Sequence, residues 1–522
     1  MYPRSCTTQW RRESVRIAVI GSWDSKSPRL MRGDWDWASR GGDSAVIQRR
    51  HRQRNLFEAV IGSVERFIAQ LIEPPLKRLD EVLADEALLE TVMQGLARRR
   101  PQSCTRGRHG TPAEVVLRML VLKRVKGWSF EETEREVRQN LVYRYLTPVY
   151  FERGPDAKTL VRLSAVIGSD GVEAIHRRLV QVAREAGMIK GRHARVDTTV
   201  VETNIHYPTD SRLLQDGVRV LTPAFKRVEA ATGIIGGKLR NRMRATTHRV
   251  LEIARAARSR ADQGHKRLEQ GYRRLLATVR STMRDAQRVC IELSAGTRVV
   301  LSAGASQVVA VSQTQLNNFV PLLRRVIAQT RARICHNNTH YPDKLLSLFE
   351  PHTEAIRKGK AAKPTEFGKL VKLQEAENQI VVDYQVYERR PDDRALLMPS
   401  IEAHQHAFGR VPHLLAADRG FWSAAHKRAA RQAGVEKVCI PALGRLRPEQ
   451  AAEQRQRWFR RGQRLRAGCE GRISVLKRRD GLARCRYRGT DGIRRWVGWG
   501  VVSNNLWVLM RTTRRARYRN TS

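Results

Sequence analysis

Three acidic residues stand in this sequence where carboxylates could grip divalent metal. Asp197 lies in Arg195-Val-Asp-Thr-Thr-Val-Val201, whose β-branched residues predict a strand from His193 to Val201. Asp418 closes the apolar run Leu414-Leu-Ala-Ala417 and is followed by Arg-Gly-Phe421, so it reads as a strand end punctuated by Gly420. Glu470 lies in Gly468-Cys-Glu-Gly-Arg-Ile-Ser-Val-Leu-Lys477, inside a helix expected over 468–480. Hard divalent ions prefer carboxylate oxygens. Two Mg²⁺ ions about 3.5–4 Å apart can activate an attacking oxygen and stabilise a leaving one in phosphoryl transfer. Without metal, three clustered carboxylates would repel and raise the pKa of at least one.

Each acid also has an architectural reading. Asp197 suits an exposed strand position, Asp418 a turn, and Glu470 a charge balance for its basic neighbours. Glu470 is the hardest to set aside, because residues 455–488 are crowded with Lys and Arg and hold only Glu470 and Asp480 as acids. Glu202 competes with Asp197. Residues five apart on a strand face opposite sides, and Val196 and Val200 mark the strand centre, so Asp197 is preferred. Asp210, beyond Pro208, is expected in a loop. Arg466, Glu470 and Lys477 are spaced by four and seven and share one face of a continuous helix. Arg472 and Arg478 add cations for DNA, while Gly468 and Gly471 weaken the helix.

The elements that must position these residues alternate in type. Phe57 to Ile68 shows apolar spacings of three and four, and 98–110 reads as a basic linker. Thr111-Pro-Ala-Glu114 reads as a capping box with Pro at the first helical position, opening a helix that stops at Gly127. Ser129-Phe-Glu-Glu132 reads as a second capping box. Two capped helices joined at a glycine suit a helix-turn-helix or a plain helical bundle. A long helical stretch covers roughly 222–345, with Leu268, Tyr272, Leu275, Val279, Met283, Ala286 and Val289 as a core stripe. Then Phe367–Leu373 and Gln379–Tyr387 read as a hairpin with Asn378 at its turn, followed by strands at Pro412–Asp418 and Val435–Pro441. Trp496–Met510 is an apolar helix or strand before a basic tail. Strands that resume after a helical excursion predict an α/β core interrupted by a helical insertion.

Composition sets the partner class. The 522 residues carry 98 Lys plus Arg against 51 Asp plus Glu, a net charge of +47. That excess suits a polyanion such as nucleic acid, since each neutralised phosphate releases counterions. Seven scattered cysteines form no Cys-x-x-Cys pair or structural zinc spacing and suit a reducing cytoplasm. No apolar run reaches the roughly 20 residues of a membrane span, and no phosphate-binding nucleotide loop occurs.

At the segments around Asp197, Asp418 and Glu470, and at Thr111 to Leu146, the sequence resembles the DDE transposases of bacterial insertion sequences, in the group often written ISNCY. The resemblance covers roughly residues 55–512. It implies a ribonuclease H-like catalytic core (186–222 and 346–512) interrupted by a helical insertion (223–345). An all-α helix-turn-helix domain (51–185) precedes that core. It implies Asp197, Asp418 and Glu470 as catalytic and metal-binding residues for two Mg²⁺ ions, with Mn²⁺ as a substitute. Arg466 and Lys477 fit the family's Tyr-x2-Arg-x3-Glu-x6-Lys signature and would hold DNA phosphates, while Gln463 replaces the Tyr. The expected partners are double-stranded DNA, as terminal inverted repeats and target, and further copies of the chain on that DNA. The expected setting is the cytoplasm, at the bacterial nucleoid, with no membrane. Residues 1–50 match nothing in that group and are expected to be disordered or a spurious extension; 513–522 form the basic tail. A decayed, inactive regulator that still binds DNA, or a general nuclease on the same core, would share much of this sequence.

Overall fold

The computed structural model describes residues 67–98, 110–149, 153–233, 239–258, 263–294, 302–357 and 364–517. The expectations for 1–50 and for most of the 98–110 linker fall outside these residues. Helices α1 (Pro74–Leu83), α2 (Glu86–Ala97), α3 (Ala113–Lys126), α4 (Phe130–Gln139), α5 (Leu141–Leu146) and α6 (Ala157–Glu185) come first. The Ser129 capping box forms in full: the Ser129 hydroxyl accepts from Glu132 N–H at 3.0 Å and Glu132 accepts from Ser129 N–H at 2.7 Å. The one expected at Thr111 does not form, because Pro112 takes the N-cap position and makes no side-chain bond there. Gly127 ends α3 in the left-handed region at φ 74°, where a Cβ would be strained.

Helix α3 is buried on nearly every face, although it carries Glu114, Arg118, Lys123 and Arg124 among its buried residues. Its charged residues are held by partners. Arg118 donates to Glu114 at 3.0 Å and to Asp80. Arg124 lies 4.0 Å from the Trp496 ring and donates to the Trp496 carbonyl at 2.9 Å. Trp496 belongs to the C-terminal helix α15 (Gly489–Arg517), so both ends of the chain share one core, in which Leu117, Leu120, Ile175 and Leu179 meet Trp499, Val502 and Leu506.

The sheet has six strands: β1 (His193–Glu202), β2 (Glu354–Arg357), β3 (Thr365–Glu375), β4 (Val381–Val386), β5 (Leu414–Ala417) and β6 (Lys437–Cys439). Its order is β2-β3-β1-β5-β6, and β4 also pairs with β3. β1 runs antiparallel to β3 and parallel to β5, which runs parallel to β6. The expected hairpin is present, and Asn378 sits at its turn with φ 55°. Between β1 and β3 rise α7 (Asp210–Thr232), α8 (Met243–Ala256), α9 (Gln263–Ser294) and α10 (Ala303–His336). They bury a separate core in which Leu221 and Phe225 meet Leu275, Val279, Leu316 and Leu323. Asp210 is not in a loop. It starts α7, is buried, and binds Arg333 at 2.8 Å and the Gln329 amide at 3.1 Å. Its carboxylate suits the positive N-terminal end of that helix.

Two faces of the sheet are covered differently. Ala194, Val196, Leu415 and Ala417 pack with Leu397 and Ile401 of α11 (Leu397–Phe408) and Ala430 of α12 (Ala424–Gln432). Leu414 and Ala416 pack with Phe459 of α14 (Arg457–Arg478), which follows α13 (Pro448–Arg455).

Two buried histidines tie helices to this frame. His176 Nε2–H donates to the Val381 carbonyl at 2.8 Å and His404 Nε2–H to the Gly191 carbonyl at 3.0 Å. Burial holds both rings below the ordinary histidine value, with the carbonyl bonds opposing in part. The unfolded chain takes up protons near pH 6.5 while the fold resists them. Stability is therefore complete above about pH 6.5 and falls as pH drops towards the lowered folded values. Urea midpoints measured down a pH series should fall below that point, and fall less in His176→Gln. A flat profile in the wild-type protein would contradict the buried neutral rings.

Candidate active site

The acids on β1 and β5 come together by register. The parallel pairing runs His193 with Leu414, Arg195 with Ala416 and Val196 with Ala417. The next residue on each strand is Asp197 and Asp418. Asp197 is still within β1 and Asp418 lies just past the end of β5, so the pairing brings both to the same end of two neighbouring strands. Asp197 is buried and its Oδ1 accepts from Thr198 N–H at 2.7 Å. Asp418 is half-buried, caps the turn that follows, and accepts from Gly420 N–H at 2.8 Å.

The side of the sheet that Asp197 shares is the one α14 covers. Arg195, two residues before Asp197 and so on its face, donates to the Leu465 carbonyl of α14 at 2.9 Å. The helix starts at Arg457, eleven residues before the start expected, and carries Gly462, Gly468 and Gly471 inside it. Two of these glycines let it lie close to the strands: a Cβ on Gly462 would strike Cys439 of β6, and one on Gly468 would strike the Arg195 guanidinium. Close approach therefore outweighs the helix penalty of glycine, about 1 kcal/mol each. Gln463, which stands where the signature has Tyr, donates to the Cys439 carbonyl at 3.2 Å and anchors the helix to β6.

Glu470 lies on this helix, but its side chain is 65 % exposed and accepts from Arg466 at 2.8 Å. The helix thus joins Arg466 to Glu470 as their spacing predicts, with the carboxylate turned to its own helix. Lys477 reaches Glu366 of β3 at 3.7 Å. Arg478 is exposed, its Nε donating only weakly to the Ser474 carbonyl at 3.4 Å. Arg472 corrects the expectation of a DNA contact. It is 8 % exposed and points into the fold, donating to Asn504 at 2.9 Å and to Gln379, with Glu375 3.7 Å from its Nε. A period of 3.6 residues turns position 472 towards the sheet and sets 466, 470 and 477 on a flank of the helix, where Glu470 is exposed while Arg466 and Lys477 are partly buried.

Beneath Asp197 lies a buried charge cluster that the sequence did not single out. Glu375 of β3 faces Arg195 across the strands and accepts from it at 2.6 Å. The Cys469 thiol donates to Glu375 at 3.4 Å. Burial pushes the Glu375 carboxyl up, while Arg195 and Arg472 pull it down. Burial also pushes the Cys469 thiol well up, and Glu375 and Asp197 add to this. Cys469 is therefore a packed thiol rather than a nucleophile. A second unforeseen neighbour is Asp393: a side chain on Gly420 would meet Asp418 Oδ1 at 3.1 Å and Asp393 Oδ2 at 3.4 Å. A lone Asp in a polar loop gave no sequence signal. The crossed position of Glu375 could be found only from the strand register.

The donor set can be tested against a metal. Among the described residues, no group of three or more His, Cys, Asp or Glu stands close enough to hold an ion. Mg²⁺, however, commonly takes one or two protein carboxylates and completes its octahedron with water and phosphate oxygens. Asp197 and Asp418, at the same end of neighbouring strands, fit that demand.

Among the described residues no helix is long and apolar enough to cross a membrane. No curated protein and no solved structure matches the chain. Residues 65–165, the segment that contains α1 to α5 and the start of α6, match the family model described as Transposase domain (DUF772). That match supports a transposase family for this chain.

Proposed function

We propose that the chain is a DNA transposase that binds the terminal inverted repeats of its element and performs Mg²⁺-dependent strand cleavage and strand transfer. The observation that carries this reading is the pair Asp197 and Asp418 at the same end of neighbouring strands, with Asp197 on the face covered by α14, the helix of Glu470. The sheet supports a ribonuclease H-like core: an antiparallel meander of β4, β3 and β1 extended by parallel β5 and β6, with the insertion between β1 and β3.

Asp197, Asp418 and Glu470 would hold two Mg²⁺ ions, or Mn²⁺ in their place. When bound, the metal supplies charge neutralisation at the phosphate and a more acidic water or hydroxyl. The chain's own part is positioning. Arg478, exposed on α14, would take DNA phosphates, joined by the partly buried Arg466 and Lys477 on the flank of the helix, whereas Arg472 braces the fold. We assign DNA-end binding to α14 rather than to the α3–α4 pair. α3 is buried, and α4 carries Glu131, Glu132, Glu134 and Glu136 against Arg135 and Arg138, a poor match to a polyanion. The transposase family brings DNA as partner, and assembly of several copies on it belongs to the same proposal.

The test is direct. Full-length protein with duplex DNA bearing the element's ends and Mg²⁺ should give nicks that leave 3′ hydroxyls, followed by joined products. The outward turn of the Glu470 carboxylate towards Arg466 favours a second reading, an inactive descendant that only binds DNA. Tight end binding with no nicking at any Mg²⁺ or Mn²⁺ concentration would select that second reading.

A further inference from the structure

A cavity of about 290 Å³ opens at the far end of β1, away from the carboxylates. Its walls include Glu202 at the end of β1, His206 and Tyr207 in the following loop, Pro364 just before β3, Phe367 in β3, and Arg484 after α14. Tyr207 is 73 % exposed and meets Phe367 edge to face at 5.6 Å between ring centres. Arg484 lies 3.5 Å from Glu202 and is half-exposed. His206 is fixed by Asp216 at 2.7 Å.

We propose that this cavity receives one unpaired nucleobase of a DNA strand, stacked on Tyr207 and hydrogen-bonded by Glu202 and Arg484. The inference rests on the transposase reading and adds to it a site for a base drawn out of the duplex. Aromatic rings serve every base, because each base presents a π-face. A carboxylate within the cavity repels phosphate but accepts from a base amino or ring N–H, and the guanidinium beside it donates to base carbonyls or ring nitrogens. Arg486 and Arg488, which follow Arg484 in the chain and are exposed, can draw the backbone instead. Five residues of strand separate Asp197 from Glu202, about 17 Å at the usual rise. The two carboxylates lie on opposite sides of the strand, so the cavity is a site apart from Asp197.

The test compares two probes without metal, using the full chain: a blunt duplex, and the same duplex with a short single-stranded end carrying 2-aminopurine. Stacking should quench the 2-aminopurine fluorescence on binding. Tyr207→Ala should remove the quench and weaken binding to the single-stranded end about tenfold or more, with blunt-duplex affinity unchanged. Tyr207→Phe should keep both, because it keeps the ring. Equal weakening for both probes, or an undiminished quench in Tyr207→Ala, would overturn the proposal. Wild-type protein that binds neither probe would instead overturn the transposase reading. Wild-type protein that binds both alike, without a quench, overturns the cavity alone.

Discussion

Asp418→Asn should abolish Mg²⁺-dependent cleavage while leaving DNA-end binding near wild-type. The substitution keeps the shape of the side chain and its acceptance from Gly420 N–H, which an amide oxygen can also make. What it removes is one of two formal charges that neighbouring strands bring to the same end. A charge that acts mainly at the transition state shows its loss in rate rather than in binding. A fall on the order of a thousandfold is the scale for losing one such group. Single-turnover nicking at saturating protein, with a parallel mobility-shift titration, separates the two effects. Undiminished nicking would remove Asp418 from the site. Equal loss of binding and nicking would point to a damaged fold, so the unfolding midpoint must be checked as well. Asp197→Asn should behave alike, since it stands at the same end of the neighbouring strand.

Glu375→Ala should destabilise the fold by about 3–5 kcal/mol, the usual result of stripping one partner from a buried ion pair. The carboxylate is 1 % exposed and sits between two guanidiniums that are themselves 8 % exposed. Removing it leaves Arg195 and Arg472 buried with no anion between them. Arg195 would still hold the Leu465 carbonyl, and Arg472 would still hold Asn504. Those neutral acceptors do not cancel two buried charges. Glu375→Gln should cost less, because an amide oxygen still accepts from Arg195. Urea unfolding followed by intrinsic tryptophan fluorescence would report both, and a midpoint in Glu375→Ala equal to wild type would contradict the cluster as described. The cluster also fixes where α14 lies over β1, so the two predictions meet in one place: Arg195 binds the same helix that carries Glu470.

How much of this could be read in advance differs by residue. Asp197 in a β-branched strand, Asp418 at the end of an apolar one and Glu470 on a basic helix are local facts, set by side-chain type and short-range period. So are the Ser129 capping box, the Gly127 stop and the Asn378 turn, which depend on neighbours within a few positions. Local rules failed where long-range contact overrides propensity. Asp210 became the buried start of a helix because Arg333 and Gln329, more than a hundred residues away, satisfy it. The early start of α14 has the same cause, since its glycines answer to Cys439 and Arg195 and not to helix propensity.

The sequence alone determined the elements, the charge excess and the acids that could matter, because these depend on composition and on periods of two and 3.6 residues. Only the tertiary structure decided which residues share a face. Strand register is a pairing across about two hundred positions, and it put Asp197 and Asp418 at the same end of neighbouring strands and set Glu375 against Arg195, while the packing of α14 on the sheet buried Arg472. A slip of one residue would have sent each carboxylate to the opposite side of the sheet, and nothing local to either strand forbids it. The packing of distant side chains does.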